Sequence, residues 1–396
     1  MIHTLKKVIW FIKAGLANVL YGFPSQKICL IGVTGTDGKT TTTTMIYEAL
    51  VAMGEKVSYI STVKANIAGK AYDTGFHVTT PSPFFIQRSI HRAVQAGCKY
   101  FVLETTSHAL DQLRVWGCHY RVAALTNITK EHLDYHKSIE AYGKIKLQLI
   151  NSADIAVVNA DNPTQYLFKH LIKNKNIWFS SVRKKADFTF SELTNSTLQS
   201  LSGFQRENAL LAYGVLRVLG FKKRQILGPL AHFKGVEGRL DYIEKGGKRF
   251  VVDFAHTPNA YLRLYEYIEH AYSYKRLIHV FGCAGLRDKQ KRPVMGRYAA
   301  QHADVIILTE EDYRTEPLEN IFNNIEAGIK KEKHHEKDVG YFCIPNRLNA
   351  IKKAISLARK DDLILLTGKG HEKSLARGKH EDDWYEYDAI DKALAS

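Results

Sequence analysis

Cysteine is scarce and scattered in this sequence. The five cysteines are an odd number and include no C-x-x-C pair. A disulfide framework and a zinc ribbon are therefore not expected, and the pattern is typical of a protein of the reducing cytoplasm. Long apolar runs are missing as well, since none reaches the roughly 18–20 residues that a membrane-spanning helix needs. These absences favour a cytoplasmic protein.

Acidic residues are few relative to basic ones. Against 56 Lys and Arg stand 40 Asp and Glu, a formal net charge of +16. This balance favours anionic partners, which include nucleic acids, acidic membrane surfaces and phosphorylated or carboxylate substrates. The hydrophobic share of 45% and the charged share of 24% exclude disorder, collagen and coiled coil. At 396 residues the chain is long enough for two or three domains.

The N-terminal stretch has no acidic residue before Asp37. Its apolar side chains recur at helical spacing. They are Leu5, Ile9, Ile12, Leu16, Val19 and Phe23. Lys13 interrupts the uncharged core that a signal peptide would need. We expect residues 1–26 to form an amphipathic helix packed on the domain behind it. Peripheral contact of residues 1–24 with anionic lipid or a lipid-linked substrate is the alternative.

From residue 27 onward, short β-rich runs alternate with helical stretches. Strands are predicted at 27–33, 56–62, 99–105, 121–128 and 154–160, and in a second series at 249–255, 276–282, 303–309 and 362–368. Alternation of this kind with apolar strands predicts an α/β fold with mainly parallel sheets covered on both faces. A glycine-rich, charged stretch separates the two series, which predicts domains at 27–236 and 237–396.

The segment GVTGTDGKTTTTT (32–44) lies between a predicted strand and a predicted helix, as a phosphate-binding loop does. Gly35 and Gly38 would let backbone N–H groups face the phosphates, helped by the field of the helix N-terminus. Lys39 would neutralise the β and γ oxygens, and Thr40 or Thr41 would ligate Mg²⁺. The sequence therefore predicts an ATP site. Its residues are Gly35, Thr36, Asp37, Gly38, Lys39, Thr40 and Thr41.

The loop reads T-G-T-x-G-K-T-T, with Val33 where the general NTPase pattern has glycine. With further motifs in the same chain it resembles the Mur ligase family, and within it the tripeptide synthetases, over residues 28–388. The motifs are TTPS (79–82), LETTSHALDQLRV (103–115), TNITKEHLDYH (126–136), KIKLQLI (144–150), VVNADNP (157–163), VVDFAHTPNA (251–260), FGCAGLRDKQKRP (281–293), EEDYRTEP (310–317) and LLTGKGHE (365–372).

The resemblance implies an ATP-dependent carboxylate–amine ligase of peptidoglycan synthesis. It would have a central P-loop ATPase domain and a Rossmann-like C-terminal domain. The substrate carboxylate would attack the ATP γ-phosphorus to give an acyl phosphate, which an incoming amine would then attack. Catalysis of both steps depends on cations that stabilise charge on oxygen.

A magnesium site is also implied. Glu104 ends a predicted strand, and His132 follows the next strand, so both would ligate Mg²⁺ with Thr40, directly or through water. In similar ligases the lysine that matches Lys146 is carbamylated by CO₂, which converts a cation into a carboxylate-like ligand for a second Mg²⁺. The neighbouring Lys144 is the alternative, an exposed helix lysine.

Further residues match positions that contact the nucleotide in the family. Asn127 would help to hold the phosphate loop and the metal, and Asn208 would lie on the adenine side. Arg239 would reach ATP from the domain boundary, Asp253 would bind the ribose, and His256 would lie near the reacting phosphate. For each of them an ordinary structural hydrogen bond is the alternative.

Two groups of residues match substrate positions. Those of the muramyl peptide are Thr80, Thr106, Ser107 and Arg114, and those of the added amino acid are Arg287, Arg314, Gly368 and Glu372. Where the diaminopimelate-adding enzymes have D-N-P-R, this chain has Glu311, Asp312, Tyr313 and Arg314. The arginine could still pair with a distal carboxylate, whereas Asp312 adds a negative charge beside it. We expect diaminopimelate to be the amino acid that is added.

The family carries a uridine-binding domain ahead of the phosphate loop, where this sequence has about 26 residues. The acceptor is therefore left open, with a folylpolyglutamate-synthetase-like ligase as the alternative. An amidotransferase-associated relative would need a four-cysteine zinc ribbon, which these cysteines cannot form. A basic P-loop protein that binds nucleic acid is disfavoured by Val33 and by the lack of an aromatic–basic RNA motif. We expect a monomer with small-molecule substrates and no nucleic acid.

Overall fold

The structure is a computed structural model that describes residues 2–72, 79–129, 131–162, 164, 168–173, 175–182, 185–201, 203–332 and 335–396. Lys130 and Pro163, which belong to two of the motifs above, lie outside the described residues. The chain divides into two compact units, 1–234 and 235–396. The boundary lies two residues before the expected one, and each unit is described by itself.

In the described part of the first unit, nine strands form one sheet in the order β4-β3-β2-β5-β1-β6-β7-β8-β9. Antiparallel pairing is confined to β2–β3 and β3–β4, and the other neighbours are parallel. The strands are β1 (Cys29–Thr34), β2 (Val57–Ile60), β3 (Ala65–Ile67), β4 (Lys70–Tyr72), β5 (Tyr100–Glu104), β6 (Tyr120–Leu125), β7 (Ala153–Asn159), β8 (Lys175–Ser180) and β9 (Phe188–Thr189).

Helices cover both faces of this sheet. They are α1 (Ile2–Leu20), α2 (Lys39–Ala52), α3 (Pro83–Gln95), α4 (Ser107–Asp111), α5 (Leu133–His136), α6 (Ile139–Ser152), α7 (Ser196–Gln199), α8 (Gly203–Val218) and α9 (Lys223–Ala231), with 3₁₀ turns at Pro24–Lys27, Lys169–Leu171 and Phe190–Glu192. Successive strand residues enter opposite cores because side chains alternate across a sheet. Ile31 packs with α2 and α8, whereas Leu30 packs with α3 and α6.

The second unit holds a six-stranded sheet in the order β10-β11-β15-β12-β13-β14 and a separate hairpin, β16–β17. Only β10 runs antiparallel to its neighbour within the described sheet. The strands are β10 (Asp241–Lys245), β11 (Lys248–Asp253), β12 (Leu277–Phe281), β13 (Val305–Leu308), β14 (Tyr341–Cys343), β15 (Leu363–Thr367), β16 (Ser374–Arg377) and β17 (His380–Asp383). The helices are α10 (Pro258–Ala271), α11 (Lys291–His302), α12 (Leu318–Ile329), α13 (Arg347–Leu357) and α14 (Glu386–Leu394).

The predicted α/β class and the mainly parallel sheets are confirmed. All nine predicted strands are present, with ends that differ from the predictions by up to three residues. Several short strands were not predicted from the sequence, among them β3, β4 and the hairpin β16–β17. These segments are only three or four residues long, so the alternation of apolar and polar residues is too brief to detect.

Helix α1 does pack on the domain, but not through the apolar stripe identified in the sequence. Ala14, Ala17 and Asn18 are completely buried, so they form the inner face. The stripe at Ile9, Ile12, Leu16, Val19 and Phe23 is 40–68% exposed, and the side chain of Leu5 lies outside the description. The expectation that the stripe packs on the domain is therefore wrong. Small residues on the inner face allow the helix to approach closely.

No helix within the described ranges is long and apolar enough to cross a bilayer.

Candidate active site

The phosphate-binding loop joins the end of β1 to the start of α2. Gly35 and Gly38 have φ angles of 149° and 81°. A Cβ atom on Gly35 would lie 1.7 Å from Oγ1 of Thr126, and one on Gly38 would lie 2.3 Å from Oδ1 of Asn208. Both positions therefore require glycine, for conformation and for space. Gly38 caps α2 without a side-chain hydrogen bond, which leaves N–H groups of the first turn directed at the loop.

Two residues that follow β6, Thr126 and Asn127, form hydrogen bonds with the phosphate-binding loop. The Asn127 side chain accepts from Asp37 N at 2.9 Å and donates to Asp37 O at 3.1 Å. Its backbone carbonyl accepts from Thr36 N at 2.9 Å. Oγ1 of Thr126 donates to Asp37 O at 2.7 Å. Hydrogen bonds within the protein thus hold the conformation of the loop. Thr126 was not singled out from the sequence, although it begins the motif that contains Asn127.

The remaining loop side chains lie at the start of α2. Nζ of Lys39 donates to Thr36 O at 2.7 Å, and Thr41 is partly buried in the same turn. Asn208, expected on the adenine side, is buried beneath the loop against Gly38, with its Oδ1 3.4 Å from Oγ1 of Thr42.

Glu104 ends β5, the strand beside β1. Oγ1 of Thr40 donates to its Oε1 at 3.0 Å. Oγ1 of Thr62 donates to Oε1 at 2.8 Å, and Thr62 N donates to Oε2 at 2.8 Å. The carboxylate is buried and surrounded by hydroxyl oxygens at the carboxyl edge of the sheet. The sequence did not identify Thr62 as a site residue, although it is the last residue of the predicted strand 56–62, which pairs with β5.

Lys146 is fully buried on α6, whereas Lys144 on the same helix is exposed. Its Nζ donates to the backbone oxygen of Gly35 and lies 4.3 Å from the centre of the Tyr142 ring. Burial, and next the charge of Lys39, lower the pKa of Lys146 well below its usual value, while Glu131 acts in the opposite direction. Burial thus disfavours the charged form of this amine, which lies beside the phosphate loop.

His132 lies in a cluster of aromatic side chains. Its side chain is 39% exposed, and its ring lies 4.7 Å from that of His108 in a cluster that includes His136 and Tyr135. In the described ranges no three His, Cys, Asp or Glu residues form a group that could hold a metal ion. The structure brings Thr40 and Glu104 into hydrogen-bond contact. The joint binding of a metal ion by Thr40, Glu104, His132 and Lys146 stays a prediction.

Three of the four residues matched to the muramyl peptide, Thr80, Thr106 and Arg114, share one network. Oγ1 of Thr80 accepts from Thr106 N and donates to Glu104 O, both at 3.0 Å. Nη1 of Arg114 donates to Thr80 O at 2.8 Å, while the Trp10 ring of α1 lies 5.1 Å from the guanidinium. Oγ of Ser107 lies 3.0 Å from Nε2 of His136. The Thr80 network begins at the backbone carbonyl of Glu104, at the end of β5, and reaches Trp10 of the N-terminal helix through Arg114.

In the second unit, the residues matched to the nucleotide lie before β10 and at the end of β11. Asp253 Oδ2 accepts from Leu240 N at 2.7 Å, and its Oδ1 accepts from Ala255 N at 2.6 Å. Through these bonds the Asp253 carboxylate stabilises a turn of the backbone. Its binding of the ribose, which the sequence predicts, stays a prediction. His256 Nδ1 lies 2.9 Å from Phe254 O. The Arg239 guanidinium stacks on the Phe254 ring at 4.4 Å.

The residues matched to the added amino acid lie at the carboxyl ends of β12, β13 and β15. Nη1 of Arg314 donates to Gly285 O at 3.1 Å, and Arg287 is exposed. Nζ of the buried Lys369 donates to Asp312 Oδ1 at 2.9 Å and to Glu372 Oε2 at 2.6 Å. The charge that Asp312 adds is therefore balanced by a lysine that follows another strand.

A buried carboxyl group borders the same residues. Burial raises the pKa of Glu311, and its Oε2 has no hydrogen-bond partner among the described residues. Gly368 packs on this group, since a Cβ there would lie 2.8 Å from Oε2. Nearby, Arg292 is fully buried and lowers the pKa of Glu316 to about 2 through paired hydrogen bonds of 2.8 and 2.9 Å. This pair, which sequence reasoning missed, braces the loop after β12.

Comparison with known proteins agrees with this geometry. The family "Mur ligase middle domain" matches residues 33–214, and "Mur ligase, glutamate ligase domain" matches residues 238–370. The UDP-N-acetylmuramoyl-L-alanyl-D-glutamate–2,6-diaminopimelate ligase of Parabacteroides distasonis is 37% identical over 375 residues, which cover 90% of this chain and 76% of that protein.

Two solved ligase structures have a similar fold. A UDP-N-acetylmuramoyl-L-alanyl-D-glutamate–2,6-diaminopimelate ligase superposes with a TM-score of 0.60 at 28% identity, over 93% of this chain and 78% of that one. A Mycobacterium tuberculosis folylpolyglutamate synthase complexed with ADP and AMPPCP superposes at 0.69, over 90% of this chain and 92% of that one, but at 16% identity it shows the fold alone. The sequence identity to muramyl-peptide ligases, spread over both units, shows that the chain belongs to the Mur ligase family of ATP-dependent, amide-forming ligases.

Proposed function

We propose that this chain joins diaminopimelate to the peptide of a muramyl-peptide precursor, through an acyl phosphate formed with ATP, as a cytoplasmic monomer in peptidoglycan synthesis. The observation that carries the proposal is the arrangement at the phosphate loop. There, Thr40 and Glu104 share a hydrogen bond, and the buried Lys146 contacts Gly35. The identity to a diaminopimelate ligase supports the choice of substrates, and the five free cysteines favour a reducing compartment.

Magnesium fits the oxygen atoms at the end of β5. The Thr40 hydroxyl and the Glu104 carboxylate are hard oxygen ligands, which Mg²⁺ prefers. These two residues would hold the ion, with His132 and the carbamylated Lys146 as further proposed ligands. When bound, Mg²⁺ supplies positive charge that neutralises the phosphate oxygens of ATP.

Carbamylation fits the surroundings of Lys146. The neutral amine would attack CO₂, form an N–C bond and release one proton, leaving a carbamate anion. Burial and the charge of Lys39 disfavour the ammonium form. The same positive charge of Lys39 favours a carbamate anion at this position, whereas burial alone would oppose it.

The residues of the first unit would then act on the first step. A carboxylate oxygen of the precursor forms a bond to the γ-phosphorus, and the bond to the β–γ bridging oxygen breaks to release ADP. Lys39 and the open N–H groups of α2 stabilise the charge on the phosphate oxygens. Thr80, Thr106, Ser107 and Arg114 bind the precursor beside this loop.

In the second step the amine of the amino acid attacks the acyl carbonyl, the bond to phosphate breaks and the amine loses one proton. Arg314 would bind the distal carboxylate of diaminopimelate, because Lys369 offsets the charge of Asp312. Arg287, Gly368 and Glu372 would complete the amino-acid site. His256, Arg239, Asp253, Asn127 and Asn208 remain our proposed nucleotide contacts.

Release of ADP from ATP by the purified full-length chain tests the proposal. The assay compares UDP-linked muramyl dipeptide, its lipid-linked form and folate as acceptors, each with diaminopimelate, lysine or glutamate. We expect stimulation by a muramyl dipeptide with diaminopimelate. Stimulation only by folate with glutamate, or none by a muramyl dipeptide with either diamino acid, would overturn it.

A further inference from the structure

We propose that the outer face of α1 binds the surface of an anionic lipid bilayer. The outer face comprises Val8, Ile9, Ile12, Leu16, Val19 and Leu20, which are 43–68% exposed. Large apolar side chains on one side of a surface helix are costly in water and mark an interaction site. This inference does not depend on the proposed substrates.

The helix is held in place by its opposite side. Nδ2 of Asn18 donates to Ala14 O and to Trp116 O, both at 2.8 Å. Gly117 leaves space for this amide, since a Cβ there would lie 2.5 Å from it. Nζ of Lys7 donates to Asp111 Oδ1 at 2.6 Å. These polar contacts fix the rotation of α1, so the outer face cannot turn inward without breaking them.

Aromatic side chains beside the outer face add to the apolar surface, some within α1 and some beyond it. The rings of Phe11 and Trp116 meet edge to face at 4.6 Å, and both are 42% exposed. Phe23, directly after α1, is 40% exposed. Tryptophan and phenylalanine are favoured at the boundary between lipid headgroups and acyl chains. The surface thus has the side chains of an interfacial helix, and α1 has no span long and apolar enough to cross the bilayer.

The positive charge of the lysines near the outer face indicates that its partner is an anionic bilayer. Lys6, Lys7, Lys13 and Lys27 precede Asp37, the first acidic residue of the chain. Lys6 and Lys13 are exposed and seven positions apart, so they lie on the same side of α1 along the border of the outer face. Lysines at this border attract anionic headgroups while apolar neighbours enter the lipid. A second copy of the chain would instead bring these lysines close to one another.

Vesicle co-sedimentation of the full-length chain tests this inference. The probes are vesicles of phosphatidylglycerol and phosphatidylcholine in equal amounts, and vesicles of phosphatidylcholine alone. We expect binding to the anionic vesicles that weakens with added salt. Lys6→Gln with Lys13→Gln is expected to weaken binding to the anionic vesicles by about 25-fold, at roughly fivefold for each lysine near the surface.

A second variant tests the apolar part. Leu16→Glu with Val19→Glu places two acids on the exposed outer face, so we expect an unchanged melting temperature and the loss of most vesicle binding. Val339→Glu, at another side chain that is 71% exposed, is the matched control and should bind like the wild type.

Three results would overturn the inference. They are no binding of the wild type to anionic vesicles at low salt, equal binding by the Leu16→Glu/Val19→Glu variant, and a dimer in light scattering that this variant converts to a monomer. Since the lysine variant leaves the apolar side chains intact, its result decides the electrostatic part even if the double glutamate variant fails to fold.

Discussion

Oγ1 of Thr40 donates a 3.0 Å hydrogen bond to Oε1 of Glu104, and this contact links the first turn of the helix after the phosphate loop to the end of the neighbouring strand. The link depends on sheet register, because Val33 of β1 pairs with Glu104 of β5. A hydroxyl and a carboxylate thus meet where the phosphates of ATP would lie. Oxygen atoms of this kind, which are buried and already oriented, are suited to bind a cation without rearrangement.

Replacing Glu104 with Gln tests this role. The amide keeps the size of the side chain but removes its negative charge, so we expect kcat to fall at least ~100-fold. The magnesium concentration needed for half-maximal activity should rise. Steady-state ADP release at several magnesium concentrations measures both. Glu55→Gln, which removes a surface carboxylate paired with Lys99, should change neither, and an equal effect of the two variants would contradict the role.

Gly35→Ala should abolish nucleotide binding. Its Cβ would lie 1.7 Å from Thr126 Oγ1, and a φ of 149° is unfavourable for alanine. Isothermal titration with ADP measures the loss. Gly228→Ala is the control, because a Cβ there meets nothing within 4 Å and alanine favours its helix. The control should bind ADP normally and raise the free energy of unfolding by roughly 0.5–1 kcal/mol; tight binding by both variants would contradict the geometry.

Lys146→Ala should lower ligase activity severely. It removes the buried amine at the phosphate loop, and with it the proposed carbamate. Short carboxylates such as formate or acetate should restore part of kcat by occupying the vacated space. Lys144→Ala, on the exposed side of the same helix, is the matched control and should retain activity. Unchanged turnover of Lys146→Ala would remove this residue from the site.

Arg314→Ala should discriminate between amino acids. Loss of a charge-assisted hydrogen bond to the distal carboxylate costs roughly 1.5–3 kcal/mol, or about a 10- to 150-fold rise in KM for diaminopimelate. Lysine has no such carboxylate, so its KM should stay unchanged. A purely structural role would raise both values equally, and parallel kinetics with the two amino acids distinguish these outcomes.

Acidification should destabilise the second unit. Burial lowers the pKa of His279 to about 3, below the roughly 6.5 of an unfolded histidine. Between these two pH values, unfolding takes up a proton at His279. Its contribution to the free energy of unfolding is therefore fully present above pH 6.5 and is lost as the pH falls toward 3. The slope is at most about 1.4 kcal/mol per pH unit for this group. Urea unfolding of His279→Gln across this range should give a shallower slope, and identical slopes would contradict the prediction.

Much of the fold was predictable because its signals are local. The strand around Ile31 is a continuous apolar run, and Ser82 and Pro83 mark the start of α3 with a cap and a proline. The phosphate loop was also predictable, since glycines, a lysine and threonines coincide within a few residues. Such features need no knowledge of distant contacts.

The errors concern contacts between distant segments. The periodicity of residues 1–26 predicted an amphipathic helix. It could not show that Ala14 and Ala17, rather than the larger apolar residues, face the domain. Lys369 balances Asp312 across 57 positions, a pairing that spacing alone does not reveal. Burial and long-range pairing therefore had to come from the structure.

Arg114 joins two regions that are far apart in the sequence. One side of its guanidinium donates to the carbonyl of Thr80, and its face lies 5.1 Å from the indole of Trp10. Helix α1 and the proposed precursor site thus share one side chain. If a surface that binds α1 shifts Trp10, it changes the affinity of Arg114 for its ligand, and thermodynamic reciprocity makes that ligand change the affinity for the surface by the same factor.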